Sequence, residues 1–314
     1  MEIRVRFIVL TILVFTVFKS RGQEYPVIIN TVTNTNNTVD LNYTKSDPGT
    51  YFLVITFDGL TNSYSSVKQK IKVGGYSGKL LTLIPANEQQ GIGYSLNYAV
   101  IRGVLNPKVD SNFAYLLPYH IGKLVNVAEA GYLKAAYFGS TIPKDWKSYF
   151  LYTEKEDSVY AARKGIVVEV NDKYDSAPGN GVVFTSRKNS IIIEHADGTL
   201  ADYQGFKNGS IVVKVGQTVY PSTPLGLNSQ NSQGEKYTIG FMIRYLNSDK
   251  LDNEGEKRFQ TEKGFYGFIT PKFYVQDKGL MKLSPQQNYT VAFTQEILNK
   301  ELTKKELKLS ALKK

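Results

Sequence analysis

The stretch that decides the fold is residues 190–206, which read SIIIEHADGTLADYQGF. Two apolar runs flank a polar corner at Gly198, where glycine gives the backbone freedom that a tight turn needs. The segments on either side, residues 159–170 (VYAARKGIVVEV) and 211–226 (IVVKVGQTVYPSTPLG), also combine β-branched runs with glycine corners. Residues 237–245 (YTIGFMIRY) close the series. The pattern predicts short β-strands with structural glycines at their corners, namely Gly165, Gly198, Gly216 and Gly226.

In this order and spacing, the four segments resemble the core of the LytM/lysostaphin-type zinc metallopeptidases, which are murein endopeptidases with a duplicated hybrid motif. That family shows V-x-A-x-x-x-G-x-V, then H-x-(D/N)-G followed by Y-x-H-L, then V-x-x-G-(Q/D)-x-V-x-x-G, and finally L-H-F-E-(I/V). Residues 117–122 (LPYHIG) resemble a lead-in found in some exported members. The resemblance covers about residues 113–275 and implies a barrel-sandwich hybrid β domain.

The resemblance also implies an open zinc site with three protein ligands and a bound water. This sequence departs from the family at each ligand position. The aspartate position falls on Phe150, and the second histidine of H-x-H falls on Gly240. The first histidine falls on Trp146 at the usual spacing, or near Ala136 or Tyr137 if the intervening loop is longer. We therefore expect no zinc and no other cofactor.

The two catalytic histidines of the family, which aid proton transfer and oxyanion stabilisation, are replaced as well. The Y-x-H element reads Tyr203-Gln204-Gly205, so its histidine falls on Gly205. The first histidine of H-x-H falls on Thr238. We predict no catalytic residue and a loss of peptidase activity, with an active zinc endopeptidase that uses non-standard ligands as the alternative.

The chain has two histidines, His120 and His195. The resemblance implies a structural role for His195, hydrogen-bonded near the corner of the H-x-D-G element. A zinc site rebuilt from both histidines and an acid such as Asp202 or Glu194 is disfavoured. Alternation along the strand places His195 and Glu194 on opposite faces.

A cleft shaped for a wall peptide would remain at the former zinc site. Aromatic side chains and one hydroxyl would line it, and such groups suit stacking on sugars or contact with peptide side chains. The candidate groove residues are Trp146, Tyr149, Phe150, Tyr152, Tyr203, Phe206 and Thr238. The alternative for each aromatic residue is that it only fills the space left by the metal.

The N-terminus reads as a secretory signal peptide over residues 1–22. A basic start, an apolar stretch over residues 7–18, and small residues Ser20 and Gly22 precede a cut before Gln23. An uncleaved membrane anchor is the alternative, and it would give the only membrane contact.

The chain has no cysteine and a net charge of +10. These features favour a bacterial protein of the periplasm, cell surface or exterior, with anionic envelope partners and not nucleic acid.

The rest of the chain divides at changes of pattern. Short aromatic and β-branched runs over residues 23–108 predict an immunoglobulin-like β-sandwich. Residues 109–284 are assigned to the LytM-type domain. In the basic segment 285–314, leucines recur at helical spacing (Leu298, Leu302, Leu309 and Leu312), which predicts a helical C-terminal tail that docks on the body or reaches for a partner.

Degenerate LytM-type proteins are known as regulators that bind and activate murein amidases. The resemblance therefore implies an exported, non-catalytic protein that binds peptidoglycan or regulates a murein hydrolase. A structural or adhesion module of the envelope is a further alternative. A biotinyl-type carrier is disfavoured because its E-x-M-K-M element is missing from the sequence.

Overall fold

The computed structural model describes residues 26–131, 143–175, 188–230, 236–247 and 262–311. Within them the chain is mainly β, with two short α-helices near the C-terminus. This confirms the predicted fold class. The longer helix has eight residues, and no helix in the described part is long and apolar enough to cross a membrane. The predicted signal segment, residues 1–22, lies outside the described residues.

The N-terminal part is a sandwich of two three-stranded antiparallel sheets. The first sheet has the order β1 (Val27–Thr33), β2 (Val39–Lys45), β5 (Ser77–Leu83). The second has the order β4 (Lys68–Val73), β3 (Tyr51–Thr61), β6 (Gly93–Arg102). This pairing matches the A-B-E and C′-C-F strands of an immunoglobulin sandwich. Alternate side chains of β3, including Leu53, Ile55 and Phe57, fill the core between the sheets.

The second part is organised around a ten-stranded sheet. Its main path is β14 (Thr218–Val219), β11 (Gly165–Asn171), β12 (Ser190–Glu194), β13 (Leu200–Gln204), β17 (Tyr237–Leu246), β9 (Tyr149–Thr153), β8 (Leu124–Glu129), β21 (Gln287–Thr290). Two further strands pair with β17, namely β16 (Ser229–Gln230) and β18 (Tyr266–Ile269).

Smaller elements complete this part. One two-stranded sheet joins β10 (Ser158–Tyr160) and β15 (Pro224–Leu227), and a three-stranded sheet has the order β20 (Gly279–Met281), β19 (Lys272–Val275), β7 (Ala114–Leu116). The helices are a 3₁₀ turn (Glu262–Phe265), α1 (Gln295–Asn299) and α2 (Lys304–Ala311).

The ten-stranded sheet has an inner face and an outer face, set by the alternation of its side chains. On β17, Ile239, Phe241 and Ile243 are buried in the main core together with Tyr203 of β13. The intervening residues of β17 therefore point to the outer face. This alternation decides which of the predicted site residues can meet a ligand.

The sandwich covers one end of the outer face. Phe52, Val54 and Ile101 from the sandwich form one apolar cluster with residues of the sheet, namely Val168, Ile192, Leu200 and Leu246. The backbone N–H of Thr50 donates to the Glu194 carboxylate at 2.7 Å across this contact. One side of the outer face is thus closed by the sandwich.

The structure corrects the predicted start of the C-terminal tail at residue 285. Strand β21 (Gln287–Thr290) pairs with β8, and Tyr289 and Val291 are buried in the main core. The second part of the structure therefore extends at least to Val291. The sequence pattern was ambiguous because this strand buries few side chains between polar neighbours.

Candidate functional site

Three of the residues that the sequence resemblance places at zinc-site positions, Phe150, Thr238 and Gly240, lie close together on the outer face. Gly240 of β17 pairs with Phe150 of β9 on one side and with Gln204 of β13 on the other. Two residues further along β17 and β9, Thr238 pairs with Tyr152. We call Phe150, Tyr152, Gln204, Thr238 and Gly240 the outer-face cluster, and all five are partly exposed.

Gly205 adjoins this cluster through its backbone. It follows the last residue of β13 with a φ of +100°, and a Cβ added there would lie 3.5 Å from the carbonyl oxygen of Thr238. Ser229 fixes the corner, because its N–H and hydroxyl donate to the Gly205 carbonyl at 3.0 and 2.9 Å. A histidine at position 205 would be strained in this conformation. The neighbouring Gln204 presents the side chain on the outer face instead.

The side chains of the outer-face cluster do not fit a zinc ion. They offer a phenyl ring, a phenol, an amide and a hydroxyl, whereas zinc in proteins is bound by Cys, His, Asp and Glu. Burial raises the pKa of the Tyr152 phenol, so this group stays neutral at physiological pH. In the part of the chain that the structure describes, no three His, Cys, Asp or Glu side chains converge. The cluster therefore lacks both metal ligands and a base that titrates near neutrality.

Two features suit the cluster to binding. The Lys188 ammonium lies 5.5 Å from the centroid of the Phe150 ring, and burial lowers the pKa of Lys188. The Thr238 hydroxyl oxygen is buried and meets no hydrogen-bond partner within the described ranges. The site thus combines an aromatic surface, a cation and an unsatisfied hydroxyl. Sequence reasoning missed Gln204 and Lys188. Alternation along LADYQ does place Gln204 on the opposite face of the sheet from Tyr203.

Trp146 does not line the groove, which corrects that prediction. Its indole N–H donates to the Ala130 carbonyl at 2.8 Å. Its ring meets Phe268 edge-on, with centroids 4.6 Å apart, and contacts the cluster between sandwich and sheet. The Trp146 side chain thus packs against the apolar cluster between the sandwich and the sheet, away from the outer-face cluster. The other positions considered for the first ligand, Ala136 and Tyr137, lie outside the described residues.

Three other predicted groove residues are core residues, and the prediction is corrected for them too. Tyr149 and Tyr203 are 0% exposed and Phe206 is 1% exposed. Tyr149 and Tyr203 alternate with Phe150 and Gln204, so they must face the opposite side of the sheet. The Tyr203 hydroxyl accepts from the Ala162 N–H at 2.8 Å inside the core. Burial raises the pKa of both tyrosines.

His195 lies at the corner after β12, with its side chain buried. The imidazole Nδ1 of His195 is 2.9 Å from the Thr199 hydroxyl, and the backbone N–H of His195 donates to the Thr199 carbonyl at 2.9 Å. Burial and the nearby Arg163 guanidinium lower the pKa of His195 to about 3, against the opposing charge of Asp197.

His120 is half exposed and lies 3.6 Å from the Asp157 carboxylate. Asp202 and Glu194 point to the outer face, where they contact Arg244 and Thr50.

The low pKa of His195 makes a prediction about stability. The unfolded chain takes up a proton near pH 6.5 while the folded chain does not, so acid favours unfolding. We expect the free energy of unfolding to fall by about 1.6 kcal/mol between pH 6.5 and pH 5 from this group alone. Urea unfolding at the two pH values measures it. His195→Gln should flatten the dependence and His120→Gln should preserve it; an unchanged slope in His195→Gln would contradict the assignment.

The predicted structural glycines lie at close approaches or in left-handed turns. A Cβ on Gly165 would lie 2.4 Å from Ile193 Cγ2 and 2.6 Å from the Glu194 carbonyl oxygen. Gly198 has a φ of +86°, and its Cβ would lie 2.7 Å from Val104 in the connection to the sandwich. Gly216 has a φ of +89°, and Gly226 adjoins Phe206.

Comparison with known proteins gives similarity at the level of solved structures. No protein-family model and no curated protein match this chain. A structure of Csd3 from Helicobacter pylori is 10% identical, with a TM-score of 0.29, and the match covers 90% of this chain and 83% of that one. A zinc-containing peptidase from Vibrio cholerae is 12% identical, with a TM-score of 0.25, covering 69% of this chain and 77% of that one. A structure of the SpoIIQ-SpoIIIAH pore-forming complex is 20% identical, with a TM-score of 0.27, covering 43% and 85%. The solved structures that this chain resembles thus include peptidases, at similarities too low to assign an activity.

Proposed function

We propose that this chain is an exported, non-catalytic protein of the LytM type that binds peptidoglycan through its outer-face cluster. The observation that carries the proposal is the placement of Phe150, Thr238 and Gly240. These residues stand at positions where the sequence resemblance implies zinc ligands or a catalytic histidine, and they are neighbours on one surface. The proposal includes the loss of zinc and of peptidase activity.

The chemistry of the cluster favours binding over hydrolysis. A zinc peptidase lowers the pKa of a metal-bound water and stabilises the developing oxyanion. A phenyl ring and a glycine do neither. The Lys188 ammonium lies against the Phe150 ring and is suited to hold a carboxylate beside an aromatic surface.

Peptidoglycan offers groups that match this surface. Its stem peptides carry carboxylates, which suit Lys188, and its sugars present apolar faces that stack on aromatic rings. The amide of the partly exposed Gln204 adds a hydrogen-bonding group to this surface. The sandwich closes one side of the outer face, so the ligand would approach from the side of Phe150 and Tyr152. Regulation of a murein hydrolase would follow if the bound wall is presented to such an enzyme.

Co-sedimentation of the full-length protein with purified peptidoglycan sacculi tests the proposal. We expect wild-type protein to sediment without releasing soluble muropeptides, and Phe150→Ala to bind about tenfold more weakly, a loss of about 1.4 kcal/mol. Tyr64→Ala is the matched control, because Tyr64 is 91% exposed on the sandwich and should leave binding unchanged. Absence of wild-type binding, or equal losses in both variants, would refute the role of the cluster. Muropeptide release that stops with a chelator would refute the loss of activity.

A further inference from the structure

The C-terminal tail, residues 292–309, lies against the body mainly through charged groups. Helix α1 buries none of its residues, and Leu309 of α2 is 50% exposed. Of the predicted leucine face, Leu298 and Leu302 are partly buried, and Leu312 lies outside the described residues. Glu301 and Glu306 contact Arg163 and Lys164 of the body. The Lys300 ammonium lies 3.9 Å from the Asp110 carboxylate and 4.7 Å from the centroid of the Phe113 ring.

The first glutamate meets a guanidinium that is already built into the body. Arg163 is 3% exposed, and its Nη1 donates to Asp197 at 2.7 Å and to the Tyr115 hydroxyl at 3.1 Å. Its guanidinium carbon lies 3.7 Å from the centroid of the Phe113 ring. The remaining edge, formed by Nε and Nη2, donates to Glu301 at 3.0 and 2.7 Å. Arg163 thus presents two fixed N–H donors that bind one carboxylate in a bidentate manner.

The second glutamate meets two groups at the rim of the same surface. The Lys164 ammonium donates to Glu306 at 2.8 Å and also to the Glu301 carbonyl at 3.0 Å. The Tyr220 hydroxyl donates to the other oxygen of Glu306 at 2.8 Å. These hydrogen bonds, with those of Thr303, lower the pKa of Glu306 to about 2. The contact therefore stays ionised at physiological pH and responds to salt and not to mild acid.

The two partners of this contact are unequal. The body side is held in place by Asp197 and Tyr115, which belong to the body, whereas the Phe113 ring also contacts Lys300 of the tail. The Arg163–Glu301 pair is shielded from solvent, with side-chain exposures of 4% and 18%. The tail around it consists of short helices in which no described side chain of residues 292–309 is fully buried, so the tail can leave without exposing an apolar core. The carboxylates in this site can therefore be replaced by others of the same spacing.

We propose that Arg163, Lys164 and Tyr220 form a receptor site for an acidic peptide segment of a partner protein, with two carboxylates spaced as Glu301 and Glu306 are. The chain's own tail occupies the site in cis and competes with the partner. Arg163 and Lys164 immediately precede β11 and Tyr220 immediately follows β14. None of the three belongs to the outer-face cluster, so the proposal stands apart from peptidoglycan binding.

A labelled peptide with the sequence of residues 293–314 serves as the probe. Fluorescence anisotropy would compare its binding to full-length wild-type protein and to the full-length double variant Glu301→Gln/Glu306→Gln. We expect about tenfold tighter binding to the double variant, because its own tail competes less well, a difference of about 1.4 kcal/mol. Raising the salt concentration to about 0.5 M should weaken binding to both proteins, since the contact is ionic.

Matched variants separate this from nonspecific attraction. Glu296→Gln in the protein removes an exposed charge of α1 and should leave peptide binding at the wild-type level. A peptide carrying both glutamine substitutions should not bind. Glu306→Gln alone spares the Arg163 contact and should tighten peptide binding to an intermediate degree. It provides the test if the double variant folds poorly. Equal affinity for wild type and both tail variants, or no binding to any of them, would overturn the proposal.

Discussion

Replacing Arg163 with alanine is expected to lower the free energy of unfolding by about 3–5 kcal/mol, because it leaves buried groups without their partner. Arg163 satisfies Asp197, Glu301 and the Tyr115 hydroxyl at once. Its attraction, with hydrogen bonds from Thr199, keeps the pKa of Asp197 lowered although burial acts to raise it. Removing the guanidinium would leave an uncompensated carboxylate beside the neutral His195.

Lys164→Ala is the matched control for this prediction. Lys164 also contacts the tail, but its side chain is more exposed than that of Arg163 and the body does not enclose it. A loss of about 1 kcal/mol or less is expected for it. Urea unfolding of the two full-length variants against wild type measures both effects. Equal losses in the two variants would show that Arg163 acts only as a surface charge.

Replacing Gly165 with alanine is expected to destabilise the fold by about 3 kcal/mol or more, through overpacking. The added Cβ would meet the side chain of Ile193 at 2.4 Å and the backbone of Glu194 at 2.6 Å. Because one of these contacts is with backbone, β11 and β12 would have to separate. The glycine of the V-x-A-x-x-x-G element is thus a condition of strand packing.

Gly240→Ala is the matched control, and it bears on function as well. A Cβ at Gly240 would meet its nearest atom, the Gln204 carbonyl oxygen, at 3.4 Å, with Phe150 at 3.7 Å. We expect a change within about 0.5 kcal/mol in thermal or urea unfolding. If Gly240→Ala is as damaging as Gly165→Ala, packing alone would account for the glycine. A tolerated alanine would show that the fold accepts a side chain there, so glycine at this position is not imposed by the sheet.

The strands and their corners could be predicted from the sequence because their signals are local. The apolar runs SIIIE and LADYQ and the turn at Gly198 are read directly from residue type, and the structure has strands at both runs. The family resemblance implied that Phe150, Thr238 and Gly240 belong to one site, and the structure places them on the adjacent strands β9 and β17.

Side-chain direction could not be read in the same way. Tyr149 and Phe150 are adjacent aromatic residues, and composition does not say which one faces the core. Trp146 left the groove because its ring packs on Phe268 and on the apolar cluster shared by the sandwich and the sheet, which residues distant in sequence form. The Arg163–Glu301 contact spans 138 residues, and no local pattern predicts it.

Zinc binding at the outer-face cluster tests the central claim most directly. Crystals of the full-length protein grown with excess zinc would be measured on both sides of the zinc absorption edge. We expect no anomalous peak among Phe150, Thr238 and Gly240, since their side chains offer no metal ligands. A peak there, with nitrogen or oxygen donors at about 2.0–2.2 Å and a bound water, would contradict the account.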